Sequence, residues 1–493
     1  MRAGKLMACV AVVAFSLVSM GAAGAQSAST TLEPATGGGG TPTISGTSFD
    51  LASVGYEQSE FFLSGIASAY TSATPLTSDG KWKVTPASTA PYKTRVLVYR
   101  PIDPKDFNGT VVVEWDNVSA GLDTAPLWIA SHDELVREGY VWVGVAAQRV
   151  GVEGGGRALV PNLDLKHANP DRYGSLNHPG DSFSYDMYRQ AGEAVREDAK
   201  QLLGGLQPKH VIAAGESQSA FRMTTYINAI EPISTGVYDG YFVYSRGDDG
   251  AALSQDPEPA VAAPSPTLIR TDLTVPVMTF TTETDLVTLG YLAARQPDTK
   301  RFRNWEVAGT SHADVYTVSV GMKDTGKPES DIELFGMMQQ PPTGIYNDII
   351  KCDKPLNSGP MTYVLRRSID ALNTWIVDGT APPKAPRIQT TGDEAAPFAL
   401  DADGNVKGGI RTPQLDAPVA TLSGLGQTGT GFCGLFGTTA PFDAATLAQK
   451  YPTHAAFVKA WNAATDKAVK AGFIVPADAK GIKAAAAQSN VGG

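Results

Sequence analysis

A serine, two carboxylates and a histidine lie along this chain in an order that could build an acyl-transfer site. Gly215-Glu-Ser217-Gln-Ser219-Ala220 follows the apolar run His210–Ala214 and precedes Phe221–Asn228, which reads as helix. A serine at the apex of a strand, tight turn and helix offers its hydroxyl as a nucleophile and aims the helix N-terminus at a developing oxyanion. Small residues are needed two positions to either side, where strand and helix converge. Gly215 supplies one, and Ser219 stands where the usual pattern has a second glycine. The plainer alternative is a serine that only caps a helix after a glycine turn.

A nucleophilic serine needs a base, and the base needs an acid to orient it. Thr281-Thr-Glu283-Thr-Asp285 follows the apolar run Val275–Phe280, and Ala308-Gly-Thr-Ser-His312 follows Asn304–Val307. Serine, acid and histidine thus each come directly after a strand, in that order along the chain. Of the six histidines only His312 follows a late strand. His132 and His210 fall near the starts of a surface helix and a strand, His167 and His178 lie in a Gly/Asn/Pro-rich loop, and His454 is near the C-terminus. Asp285 is the preferred acid, with Glu283, two residues away and longer in reach, as the rival. The backbone N–H of Gln218, next after the serine, is one expected oxyanion donor. The other should come from the loop after Thr110–Trp115, with Asn117 as the choice. Asn117-Val-Ser119 and Asn108-Gly-Thr110 are glycosylation sequons. A glycan at Asn117 would block the site, so both are read as chance.

The elements that must position these groups alternate. Strands are expected at 95–99, 110–115, 140–146, 210–214, 240–244, 275–280 and 304–307, with helices at 132–138, 188–203, 363–378 and 453–471. Continuous apolar strands separated by helices mean an α/β fold with a mostly parallel central sheet flanked by helices, and such sheets carry their chemistry at the carboxyl ends of the strands. Two insertions interrupt the series. One, 148–187, holds Tyr173, Phe183 and Tyr185, which could wall a pocket or simply pack. The other, 246–272, is rich in Pro and Ala. Arg411 could hold a substrate carboxylate, although a structural arginine is the safer reading.

The 493 residues are 42% hydrophobic and 18% charged, the composition of a globular chain. Forty basic against fifty acidic residues give a net charge of −10, which argues against nucleic acid or an anionic membrane as partner. Arg2 and Lys5, the apolar stretch Met7–Met20 and the small residues Ala23-Gly-Ala25 form a secretory signal pattern, with residues 1–25 removed. No later segment reads as a membrane span. Residues 26–44, with Gly37–Gly40, read as a flexible leader. Loss of Cys9 leaves Cys352 and Cys433, an even pair that reads as a disulfide in an exported protein.

Taken as a set, several motifs resemble one known group. They are Gly215-Glu-Ser-Gln-Ser-Ala220, Glu283-Thr-Asp285, Gly309-Thr-Ser-His-Ala313, Arg172-Tyr-Gly-Ser-Leu-Asn-His-Pro-Gly-Asp181 and Gly408-Gly-Ile-Arg-Thr-Pro413. Together they are similar to the bacterial α/β hydrolase domain-containing proteins, a serine esterase-like family of the α/β-hydrolase superfamily. The resemblance runs from about residue 45 to the C-terminus. It implies an α/β-hydrolase fold, a triad of Ser217, Asp285 or Glu283, and His312, no metal, no cofactor, and a small-molecule ester as substrate. The expected organisation is a catalytic domain over 45–384 and a C-terminal extension over 385–493 that caps the strand ends. The expected activity is that of a secreted or periplasmic carboxylic ester hydrolase. An amidase, peptidase or lactonase with the same triad, or a binding protein on a hydrolase scaffold, are the alternatives. Nothing in the sequence fixes the substrate or the oligomeric state.

Overall fold

The apolar runs assemble into a single twisted sheet. The computed structural model describes residues 30–156, 161–345 and 350–493; the expected signal segment 1–25 lies outside them. Nine strands, β1 Thr31–Pro34, β2 Tyr56–Thr71, β3 Thr85–Pro101, β4 Thr110–Trp115, β5 Val141–Val145, β6 His210–Glu216, β7 Gly240–Tyr244, β8 Val277–Thr281 and β9 Phe302–Glu306, pair in the order β1-β2-β3-β5-β4-β6-β7-β8-β9. The six strands from β5 to β9 in that order run parallel, and β1, β2 and β3 add an antiparallel edge. Every residue of β4, β5, β7, β8 and β9 is buried, as expected of a sheet covered on both faces. One cover includes the helix Ser184–Glu197 and the other the helices Pro126–Arg137 and Met361–Asp378, which stand over separate apolar clusters.

The long β2–β3 ribbon departs from the sequence expectation. Only 95–99 of it was legible as strand. Pro86 and Pro91 sit inside β3, and Ser, Gly and Ala interrupt β2, so neither reads as an apolar strand. The ribbon holds through pairing with itself from Tyr56↔Pro101 to Thr71↔Thr85. It is also anchored on the helix Ser184–Glu197, where Asp186 accepts from the Ser68 N–H at 2.8 Å and Gln190 donates to the Ile66 carbonyl at 2.8 Å. Residues 31–34, expected within a flexible leader, form β1 on the free edge of β2. The backbone groups of an edge strand recruit whatever extended segment lies near, and that outweighs the low apolar content of this one. Gly37, Gly38 and Gly40 then accept hydrogen bonds from Arg172 on their carbonyls.

After β9 the chain builds a third apolar cluster. The helices Pro328–Gln339, His454–Lys470 and Asp478–Gln488 contribute Phe335, Trp461 and Ile482 to it; the first and third of these helices were not read from sequence. Buried Arg366, on Met361–Asp378, ties this part to the sheet's helices through ion pairs to Asp133, Asp324 and Asp478. Arg411 is structural. It pairs with Asp401 and Asp416 and donates to the Val406 and Leu415 carbonyls.

Cys352 and Cys433 are bonded, closing a loop of sequence separation 81. Both are buried. A closure of this length is worth about 4–5 kcal/mol if it acts through unfolded-chain entropy. Cys433→Ser is therefore expected to lower the thermal midpoint by several degrees, read by calorimetry. A thiol titration of denatured, unreduced protein spanning residues 26–493 should find no free thiol.

Candidate active site

The carboxyl ends of β4, β6, β8 and β9 bring the sequence-selected residues together. β6 runs out at Glu216, Ser217 takes φ 53° and ψ −120°, and the helix Gln218–Thr225 begins at the next residue. A positive φ in a residue other than glycine is strained, and the neighbours hold it. The Ser217 N–H donates to the Tyr244 carbonyl of β7 at 3.0 Å, and the Ser217 carbonyl accepts from Ala220 at 2.8 Å. The bend explains the small flanking residues. A Cβ on Gly215 would lie 2.7 Å from the Ser219 carbonyl oxygen. Ser219, at the position of the missing glycine, is buried and donates its hydroxyl to the Asp116 carbonyl at 3.2 Å, so the extra atom is accommodated by a polar contact.

His312 meets both partners. Its Nε2 is 2.8 Å from Ser217 Oγ, and its Nδ1 is 2.6 Å from Asp285 Oδ1. The other oxygen of Asp285 accepts the Thr282 N–H at 2.8 Å while the Thr282 hydroxyl accepts the Asp285 N–H, a capping box at the start of the helix Glu283–Val287. The carboxylate is thus fixed by its own helix. Burial alone would push the His312 imidazole down; the hydrogen bond and charge of Asp285, with the charge of Glu216, outweigh it and raise the pKa above 6.5.

Glu283 does not reach the histidine. Its two oxygens accept the Gly309 N–H at 2.5 Å and the Gly424 N–H at 2.8 Å, so it joins the histidine loop to a segment far along the chain. Burial holds its carboxyl up to about 7.

Of the two expected oxyanion donors, the Gln218 N–H has no acceptor among the described residues. Asn117 differs from expectation. Its N–H donates to the Thr124 carbonyl at 2.9 Å, and the Thr124 N–H returns to the Asn117 carbonyl at 2.8 Å. These paired bonds close the base of the loop and leave Asn117 no free backbone donor. Among the described residues the N–H groups of Val118 and Ala120 have no acceptor, and Ala120 lines the cavity beside Ser217. The sequence showed which loop, but not which N–H the reciprocal bridge consumes. Asn117 is buried, and its side chain is occupied, so the sequon there is closed to a glycan. The loop is set from below by two buried groups. Arg95 bridges Asp116 at 3.0 Å and Asp123 at 2.6 Å, with no exposed side-chain surface on any of the three. Glu114 on β4 accepts the N–H groups of Leu127 and Trp128 at the start of the following helix.

One further residue belongs to this constellation. Glu216, immediately before Ser217, places Oε1 3.5 Å from His312 Nε2, and its Oε2 accepts from Asn117 Nδ2 at 2.8 Å. Burial raises its carboxyl to about 7. The available sign in the sequence was a carboxylate ending an otherwise apolar strand.

Ser217, Glu216 and His312 open onto a cavity of about 200 Å³ whose far walls are apolar, with Ile129, Val318, Ile350, Leu435 and Phe436 among them. Phe183 and Tyr185 pack in the core instead of walling this cavity, and Tyr173 packs on Phe62. His132, expected near the start of a surface helix, is buried inside the helix Pro126–Arg137 and bonds the Trp128 and Asp324 carbonyls.

The family profile of the alpha/beta hydrolase domain matches residues 31–484. The chain belongs to this family. With its mostly parallel nine-stranded sheet and flanking helices it has the α/β-hydrolase fold. Among solved structures it is similar to a candidate dienelactone hydrolase from Klebsiella pneumoniae (11% identity, 56% of this chain and 97% of that one, TM-score 0.29). It is also similar to a fungal esterase from Rhizomucor miehei (14%, 55% and 85%, 0.27) and an esterase from Pyrobaculum calidifontis (15%, 44% and 70%, 0.27). No curated protein matches it. Among the described residues no helix is long and apolar enough to cross a membrane.

The bend at Ser217 is intolerant of bulk at Gly215. Gly215→Ala should cost about 1–3 kcal/mol in urea denaturation, because the new methyl group meets backbone rather than a side chain that can swing away.

Proposed function

We propose that this protein is an exported serine hydrolase that cleaves carboxylic esters, with Ser217 as nucleophile, His312 as base and Asp285 as the acid that orients it. The observation that carries the reading is the unbroken line of hydrogen bonds from Asp285 through His312 to Ser217 Oγ, ending at the floor of a cavity. Asp285 on Nδ1 fixes the tautomer that leaves Nε2 free to accept the serine proton. Ser217 Oγ then attacks the ester carbonyl, its proton passes to Nε2, and the carbonyl π pair moves onto oxygen. The Gln218 N–H at the helix start, with the N–H of Val118 or Ala120, supports the oxyanion. Collapse expels the alcohol, which takes the proton from Nε2 and leaves an acyl-Ser217. Water, deprotonated at the same nitrogen, attacks the acyl group and releases the acid, returning the proton to Ser217. Export is supported by the apolar run and small-residue site of 1–25 together with the Cys352–Cys433 bond.

Ser217→Ala should lower kcat on a short 4-nitrophenyl ester by at least a thousandfold with the circular dichroism spectrum unchanged, and a fluorophosphonate should label Ser217 in the wild type alone. Activity retained in the variant would refute the assignment. The pH dependence has a definite sign. His312 works as base only when neutral, and its raised pKa puts the acid limb of kcat/KM above pH 6.5. Asp285→Asn should move that limb down and lower kcat by about 10⁴.

A further inference from the structure

We propose that the cavity selects compact, uncharged esters, with Glu216 excluding acidic substrates and the wall tied by Cys352–Cys433 limiting the acyl group to about one ring. The proposal rests on the ester-hydrolase reading above and names the substrate class it leaves open.

The charge limit comes from placement. Among the described residues no lysine or arginine lines the cavity, and the carboxylate that does is Glu216. It cannot turn away, because Asn117 Nδ2 holds one oxygen at 2.8 Å while the other stays 3.5 Å from His312 Nε2, the nitrogen that faces Ser217 Oγ. A second negative charge on the substrate would be brought close to this group in a low-dielectric pocket with no cation to offset it. At an effective dielectric of about 20, two charges about 12 Å apart already repel by a factor of about ten in affinity. The groups facing Glu216 are His312, Asp285, Glu114 and Tyr244, none of which supplies a compensating cation while His312 is neutral.

The size limit comes from the wall. Ile350 lies two residues before Cys352, Phe432 directly precedes Cys433, and Leu435 and Phe436 follow it, all four on the cavity. The disulfide thus ties together two chain segments of the cavity wall, and Phe436 belongs to the same buried apolar cluster as Val315 and Leu356. A dry cavity of roughly 150 Å³ takes a benzene, and pockets for drug-sized ligands start near 300 Å³. The 200 Å³ here holds a benzoyl or short branched acyl group whole, whereas a longer chain would have to leave the apolar wall for solvent.

The test uses protein spanning residues 26–493 with its disulfide intact and 4-nitrophenyl esters, each rate divided by that ester's rate with hydroxide. The 4-carbamoylbenzoate and 4-carboxybenzoate esters have nearly the same size and differ by one charge. At pH 8 the neutral ester should be preferred at least tenfold in kcat/KM, and Glu216→Gln should bring the pair within about threefold whatever it does to the common rate. If that variant does not fold, the wild-type preference should itself widen between pH 6 and 8 as Glu216 ionises. Butyrate and benzoate should exceed decanoate at least tenfold, with Phe436→Ala narrowing that gap. Equal rates on the charged and neutral pair, or a preference for decanoate, would overturn the proposal while leaving the ester-hydrolase reading intact. No turnover of any ester and no labelling of Ser217 would defeat both.

Discussion

The site depends on one strained residue held between two parallel strands. Ser217 can occupy a left-handed backbone region only because β6 delivers it beside β7, where its N–H finds the Tyr244 carbonyl, and because the following helix closes on its carbonyl at once. The strain is of order 1–3 kcal/mol, small beside the packing that surrounds it. Release of the bend would withdraw the hydroxyl from His312 and also lose the helix-start N–H groups that lie beside it. Position of the serine and orientation of the donors are therefore one property.

Around that bend the chain buries acids rather than bases. Glu114, Glu216, Glu283 and Asp285 are all out of solvent near the strand ends, and among the described residues none has a lysine or arginine as its direct hydrogen-bond partner. Backbone N–H groups, an indole, an amide and an imidazole satisfy them instead. A buried carboxylate receiving such donors fixes the donors as firmly as they fix it, so each acid sets one loop. Glu114 sets the start of the helix after β4, Glu283 the histidine loop, and Asp285 the ring of His312. Burial moves Glu114 up to about 8, and Glu216 and Glu283 to about 7. Arg95, fully buried, spends its charge on Asp116 and Asp123 under the loop after β4.

Much of this was legible in the sequence where apolar runs were continuous. The strands at 110–115 and 240–244 coincide with those in the structure, and the groups placed after the strands at 210, 275 and 304 do meet. The illegible parts have physical reasons. The β2–β3 ribbon lacks a periodic apolar face and carries prolines, and it exists through cross-strand pairing that no local pattern encodes. The Asn117 N–H was lost to a bridge with Thr124 seven residues on, a choice made by loop closure rather than by residue type. Glu216 hid in a motif position usually treated as variable, because its meaning appears only when Asn117 and His312 converge on it.

Glu283 makes neighbours of Gly309 and Gly424. Synthesis proceeds from the N-terminus, and domains tend to fold as their residues emerge from the ribosome. The sheet can form once β9 is out, yet Glu283, which holds the loop that carries His312, lacks one of its two backbone partners until more than a hundred further residues have been translated. A chain ending before residue 424 would carry every strand of the sheet and still miss the Gly424 N–H on Glu283, so the last support of the histidine loop is a late arrival in the life of the polypeptide.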